Sequence, residues 1–249
     1  MALVIAIVTC LIGQAAPPLM NTGRPDRLIS LSAHLGEGIY TVRQNYSKAY
    51  ENVTSFKLSP GNRFAVGAEA VLHVRNFFGV GTSFDFAVNN YNFSMTRLYG
   101  ANAESVANIS TMYSDNRVYT IDIPVFLRFT FDLATSRNVK WINEIGAFLT
   151  RGIGGKTKIT TYGALATQFG EIHMNHGKFD NPYYDNEDGI VNTIERNDAG
   201  MHIATGITVD KIEVKCTFHA GLKNIALNYG LLNTKLYTMS FELNAGYIF

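Results

Sequence analysis

The chain has only two cysteines, Cys10 and Cys216. The first lies in an N-terminal apolar stretch that reads as an export signal, so no intrachain disulfide can form once that segment is removed. Cys216 falls on an apolar face, as a packing residue rather than a reactive thiol. Charge is scarce too: Asp, Glu, Lys and Arg make up 16% of the residues, against roughly 25% in soluble domains. It is also balanced, with 21 basic residues against 20 acidic ones, so there is no basic field of the kind that nucleic acid requires. No apolar run of ~18 residues follows the N-terminus, which excludes a bundle of membrane helices. What the chain does have is aromatic side chains, at 12%, and 22 glycines. Its length suits one domain of about 230 residues after export.

Ala2 to Ile12 forms an apolar core, and Gly13-Gln14-Ala15 is a small-x-small cleavage signature before Ala16. Residues 1–15 are therefore expected to be a cleaved signal peptide, 16–26 a periplasmic N-terminal segment and 27–249 the folded domain. The missing basic n-region points to a true start upstream of Met1. Lipidation at Cys10 competes with this reading. Thr9, which stands where a smaller residue is preferred, and the short apolar stretch before it count against lipidation. A retained anchor is excluded by length.

The last thirteen residues are the most telling. Tyr237, Met239, Phe241, Leu243, Ala245, Tyr247 and Phe249 fall on one side of an extended strand, and Thr238, Ser240, Glu242, Asn244 and Gly246 on the other. The same alternation recurs upstream. It runs over Arg27–Leu35, over Arg63–Val74 and, after a turn at Arg75-Asn76, from Phe78 to Asn89. It returns over Tyr119–Asp132, around Trp141–Leu149 (where Asn143 interrupts the apolar face), over Gly200–Val209 and over Lys211–Leu222. That makes eight strands. Turns near Arg75, Ser136 and Asp210 are short, whereas the stretches about 36–61, 94–116, 152–197 and 223–235 are long and polar.

This pattern predicts an all-β fold: an eight-stranded antiparallel up-and-down transmembrane β-barrel with short periplasmic turns and long extracellular loops. Such a barrel belongs in the outer membrane of a Gram-negative cell. Phe78, Phe131, Trp141 and Tyr247, with Phe77 and Phe249, are expected in the membrane girdle on the turn side. Tyr119 and Tyr237, with Tyr91, are expected on the loop side. A soluble eight-stranded ligand barrel, with its apolar face inward, is the competing architecture. Inward-facing glycines and the unbroken aromatic-aliphatic band count against it.

Tyr119-Thr-Ile-Asp-Ile-Pro-Val-Phe-Leu-Arg-Phe129 resembles the E-I-P-x-x-L-K/R-Y/F strand of the Bacteroidota outer-membrane β-barrel family, the PorT-like porin-family proteins. Gly221-Leu-Lys-Asn-Ile225 and the closing Gly246-Tyr-Ile-Phe249 resemble that family's G-L-x-N-I and G-Y-x-F segments. Asp122 stands where the family often has Glu. The resemblance implies an eight-stranded outer-membrane barrel and no single shared biochemical role.

The inward face is expected to carry a polar network of Glu69, His73, Asp85, Asp122, Arg128, Glu144, His202, Lys215, His219 and Glu242, with Lys140 and Glu213 nearby. Arg128 is expected to bridge Asp122 and Glu242. Buried charges must be paired, so this network reads as a filled core; a gated polar path or proton wire is the functional alternative. His173 and His176, with the acids at 180–188, lack the spacing of a zinc or calcium site, and no metal or cofactor is expected. Asn-x-Ser/Thr triplets at Asn45, Asn52, Asn92 and Asn108 read as strand ends and loops in a bacterial barrel.

No catalytic set is apparent. The expected role is a non-enzymatic membrane protein that binds or adheres through its loops or supports the envelope or a secretion machine. A small-solute channel is the alternative, and a lipid-modifying enzyme a weaker one. The expected partners are outer-membrane lipid, the barrel-assembly machinery and an extracellular ligand or envelope protein met through loop 152–197, whose Tyr162, Phe169, Phe179, Tyr183 and Tyr184 favour recognition. Phe249 is expected to be the assembly signal. Deleting it should lower the amount of heat-modifiable barrel in the outer membrane; unchanged membrane levels of the truncated chain would remove that role.

Overall fold

The computed structural model describes residues 20–45, 53–98, 109–134, 138–163, 177–179, 194–226 and 235–249. The export segment with Cys10, the histidines His173 and His176, and the aromatics Phe169, Tyr183 and Tyr184 lie outside the described residues, as does the side chain of Phe179. The strands are β1 (Ile29–Gln44), β2 (Val53–Arg75), β3 (Phe78–Leu98), β4 (Ile109–Ala134), β5 (Val139–Gly163), β6 (Gly177–Phe179), β7 (Asn197–Val209), β8 (Ile212–Gly221) and β9 (Leu236–Ile248). All except β6 join one closed antiparallel ring in chain order, sealed where β9 pairs with β1 from Ser32↔Ile248 to Gln44↔Leu236. The three residues of β6 add only to the far part of β5. Closure matters because backbone groups in lipid find no water, and a ring leaves no unpaired edge.

Which face points out decides between the two barrel architectures. Leu35 and Phe84 are each 56% exposed and Leu149 is 62% exposed, while Glu69, Asp122 and Glu144 are no more than 3% exposed. Apolar side chains face outward and charges inward, the reverse of a soluble ligand barrel. The chain is an eight-stranded barrel with the face pattern of one that spans a membrane.

The turns are tight. Asn76-Phe77 joins β2 to β3 and Asp210-Lys211 joins β7 to β8. Asp210 (φ 53°) and Asn138 (φ 46°) adopt left-handed backbone, which Asn and Asp tolerate better than most residues.

Much of what reads as loop in the sequence is strand. β1 continues to Gln44, β2 begins at Val53, β3 runs to Leu98, β4 starts at Ile109 and β5 extends to Gly163. The reason is an inversion of phase. Beyond about Tyr40 and Tyr91 the inward side chains of β1 and β3 become apolar: Tyr40, Val42, Tyr91, Phe93 and Met95 are buried, with Val118 of β4, while Asn116, Ser114 and Thr157 keep the inner face of β4 and β5 polar. Outward positions there are polar, as at Asn92 and Asp115. Tyr91, expected in the outer girdle, is 2% exposed and sits inside the barrel. The wall is also lopsided. Strands β2 to β5 have 23, 21, 26 and 25 residues, whereas β7, β8 and β9 have 13, 10 and 13. Since a membrane-crossing strand needs about 9–11 residues, β2–β5 stand well clear of the bilayer on the loop side.

The other girdle candidates face outward. Phe131 packs on Trp141 with ring centroids 5.5 Å apart, Phe78 on Phe129 at 5.5 Å, Tyr247 on Phe249 at 5.6 Å and Tyr119 on Phe86 at 6.5 Å. Tyr237 alternates outward on β9 beside buried Leu236 and Thr238. The single tryptophan, Trp141, is 41% exposed at the turn end. In vesicles, its emission should be quenched by lipids brominated near the glycerol end of the acyl chain and only weakly by aqueous acrylamide. The opposite pattern would contradict its outward placement.

Candidate functional site

The barrel interior holds two layers of charge, stacked along the axis. In the layer nearer the turns, Arg128 on β4 stands directly across the strand pair from Glu144 on β5. Its guanidinium donates to Glu144, to Glu69 on β2 at 2.5 Å and to Glu213 on β8 at 3.2 Å. The Lys215 ammonium lies among the same three acids, paired with Glu69 and, at 3.4 and 3.3 Å, with Glu144 and Glu213. The ring of Phe126 lies beneath both cations, 5.6 and 5.8 Å from its centroid. This ring fits because Gly81 faces it; a Cβ there would come within 2.4 Å of the ring.

The second layer is built on Arg63, an inward residue of β2 that is 2% exposed. Its Nε donates to Glu242 and its Nη2 to Asp122, both at 2.7 Å, and its Nη1 donates to Asn89 Oδ1 at 2.8 Å. Thr150 donates to Asp122 at 2.7 Å and Asn244 to Glu242 at 3.2 Å. The expectation that Arg128 bridges Asp122 and Glu242 is therefore corrected: Arg63 does so, and Arg128 serves the other layer. Gly38 explains the reach. It is the cross-strand partner of both Arg63 and Glu242, and a Cβ there would come within 2.0 Å of Phe241 O and 2.5 Å of Glu242 Cα, so glycine lets β9 close onto β1 where Arg63 reaches across.

The histidines link the layers. His202 Nε2 lies 3.2 Å from Glu144, and His202 Nδ1 lies 2.7 Å from Nε2 of His219. Asp85 accepts from Ser83 at 2.8 Å and pairs with His34 at 3.0 Å. Every residue expected in the lumen lies inside the barrel, with His73 at the turn-end mouth, half-buried and bonded to Ser30 at 2.8 Å. Arg63 and His34 are the two members that the sequence reading missed. Arg63 shares the inward parity of Glu69 and His34 adjoins outward Leu35, both within the strands already read from the sequence, so taking every inward position of those strands would have found both.

A third layer closes the loop end. Tyr40, Val42, Tyr91, Phe93, Val118, Ile194, Ile225, Ala226 and Leu236 form one buried apolar cluster inside the wall. The Gly221–Ile225 segment has a plain structural task here. A Cβ on Gly221 would come within 2.5 Å of Thr238 Oγ1 and 2.9 Å of Asp198 Oδ2, crowding the Thr238–Asp198 hydrogen bond of 2.5 Å. Asn224 Oδ1 accepts from the backbone of Ala226 at 3.1 Å and of Leu236 at 2.8 Å, which ties the plug together. Between plug and charge lies a void of about 30 Å³ beside Arg63 and His219, about the share of one water. At the turn end, a vestibule of about 450 Å³ opens down to Arg128.

The chemistry available is limited. Carboxylate oxygens of Glu69, Glu144 and Glu213 lie within 4.8 Å of one another, but Arg128 and Lys215 already occupy that convergence. Ser30 and His73 approach a nucleophile–base pair. Among the described residues, no carboxylate lies within ion-pairing distance of His73 to orient it, as a hydrolytic triad requires. The outward face is not wholly apolar. Glu37 is exposed among Leu35, Ile39, Phe64 and Leu243. The Asn143 interruption is satisfied on the outer face by Thr205, which donates to it at 2.9 Å and accepts from Trp141 Nε1 at 3.0 Å.

A family model for the outer membrane protein beta-barrel domain matches residues 14–234. Solved structures similar to the chain include OprG of Pseudomonas aeruginosa, at 10% identity and a TM-score of 0.41, covering 92% of this chain and 99% of that one. Neisserial surface protein A matches at 11% identity and a TM-score of 0.38, covering 88% and 97%. The attachment invasion locus protein Ail of Yersinia pestis, solved with the heparin analogue sucrose octasulfate, matches at 13% identity and a TM-score of 0.33, covering 88% and 99%. No curated protein sequence matches the chain.

The layer around Arg128 sets two cations against three carboxylates. Arg128→Met strips half of its positive charge and should cost about 3–5 kcal/mol, as expected for one broken partner of a buried ion pair. Glu213→Gln leaves two cations with two acids and should cost much less. Urea-unfolding midpoints in micelles measure both; equal losses would show that the layer is not held together by charge balance.

Proposed function

The chain belongs to the outer membrane protein β-barrel domain family, and we propose that it serves that membrane as a closed, non-enzymatic anchor that displays its projecting wall and loops outside the cell. The observation that carries this reading is the buried apolar cluster roofing the ion-paired interior. An eight-stranded ring has an interior just wide enough for side chains to fill it. Here two charged layers and an apolar layer stand in sequence, so that among the described residues the filled interior separates the turn-end vestibule from the loop side. The tall strands β2–β5 rise from this plugged ring as a stiff platform, with the apolar inner face of β2 and β3 packed against Ile194, Ile225 and Leu236.

Binding at the outer surface then falls to the projecting wall. Exposed Tyr162, stacked edge-on against Tyr113 at 5.7 Å, is part of that surface. The unoriented Ser30–His73 pair and the fully engaged interior histidines support a role without catalysis.

In planar bilayers the refolded chain should show no stable single-channel steps. Removing the roof with Tyr40→Ala and Leu236→Ala together should introduce brief, irregular leaks. Regular steps in the unaltered protein that vanish on neutralising Arg128 or Glu242 would establish the channel instead.

A further inference from the structure

A groove of about 600 Å³ lies on the outside of the tall wall, lined by Asn62, Asn90, Asp115, Arg117, Lys156 and Lys158 among others. Its height is set by the apolar band below it. On β4 the outward apolar face runs from Tyr119 to Phe131, about 40 Å of strand and about 30 Å of height at the tilt usual for such barrels. That matches the hydrocarbon thickness of a bilayer. Arg117 stands two residues past Tyr119, about 7 Å further along the strand. The groove therefore sits at headgroup level, directly above the stacked rings of Tyr119 and Phe86.

Two independent features point to an anion there. First, Arg117 and Lys156 are direct cross-strand partners, and like charges placed opposite each other oppose strand pairing unless something neutralises them. Asp115 stands directly across from Lys158 without closing to ion-pairing distance, and among the described residues no carboxylate lies that close to Arg117 or Lys156, so the groove keeps an excess of positive charge. Among the described residues Arg117 bonds only through its Nε, which donates to Asn90 Oδ1 at 3.1 Å, and its terminal nitrogens face the groove's other cations without a bond. Second, β5 carries one extra residue at this height. Tyr119 pairs with Gly154 but Thr120 pairs with Gly152, which bulges Ile153. Without this bulge the alternation from Leu149 and Arg151 would turn Lys156 and Lys158 into the barrel. With it, both lysines are exposed and Thr157, between them, is buried. Bulges that re-aim side chains are a recognised way of building a site.

We infer that this groove binds the phosphate of an anionic membrane-lipid headgroup, with Arg117 and Lys156 as the chelating pair, Lys158 beside them, and the acyl chains lying down the apolar wall over Tyr119 and Phe86. The assignment does not depend on whether the lumen conducts.

The test is native mass spectrometry of the full chain released from phosphatidylcholine vesicles containing about one-tenth phosphatidic acid. The unaltered protein should retain phosphatidate adducts in preference to phosphatidylcholine. R117Q/K156Q should lower that preference about ten-fold or more, with unchanged heat-modifiable migration as the check on folding. K211Q, which removes a cation at the turn end, should leave it intact. Equal retention by R117Q/K156Q and the unaltered chain would overturn the assignment, as would no preference for phosphatidate at all. Displacement of the lipid by inorganic phosphate alone would move the specificity to the free anion and overturn the lipid source.

Discussion

A ring of eight strands encloses too little space for a column of water, and that constraint governs the interior of this protein. Each charge that strand alternation sends inward must meet an opposite charge, because an unpaired ion in a dry lumen costs several kcal/mol. Arg128, Lys215 and Arg63 each answer two or three carboxylates. The pairing in turn dictates where side chains must be absent. Gly36, where a Cβ would stand 2.3 Å from Asn244 Oδ1, leaves room for the Asn244–Glu242 hydrogen bond. Gly67, where a Cβ would stand 1.8 Å from Asp85 Oδ1, leaves room for the Asp85–His34 pair. At Gly36 and Gly67 the missing side chain is the space that a polar partner occupies, whereas at Gly146, Gly200 and Gly206 it is taken up by the neighbouring strand's backbone.

The membrane-crossing half of the barrel was legible because its alternation has one meaning: apolar outward, polar inward. Arg128–Glu144 was legible as a lateral neighbour pair. The choice of acids across the lumen was not, since it depends on the stagger between strands that never touch. Arg63, not Arg128, reaches Asp122 and Glu242 for that reason. Above the membrane the signal changed sign. There Tyr91 and Phe93 turn inward while their neighbours stay wet, so a reading tuned to outward grease stops the strand and calls the rest a loop.

That change of sign is also what separates an anchor from a pore. Within lipid the wall offers its apolar face to the bilayer, and the lumen has to be polar. Outside lipid the same wall is wetted on its outer side, so the lumen becomes the place to bury grease. Ile194 and Ile225, brought in from the connections, complete that core with Leu236 of β9. Among the described residues, a water path would have to cross an apolar core and two ion-paired layers in series, which is the basis of the anchor reading proposed above.

The boundary between the two regimes carries the irregularities of the sheet. β2 shifts register between Pro60 and Arg63, and β5 bulges at Ile153, while β3 and β4 between them pass through unbroken at that level. A one-residue slip reverses every side chain beyond it. The two bulged strands therefore change which residues they show to the outside at the height where the outside changes from hydrocarbon to headgroup. On β5 the slip exposes Lys156 and Lys158; on β2 it leaves Asn62 at the opposite rim. The groove between them follows from how the wall leaves the membrane. Its charge does not, because polar residues without charge would serve the exit equally well. Placing Arg117 opposite Lys156 adds repulsion that the fold does not need, and an anionic headgroup at that height relieves it.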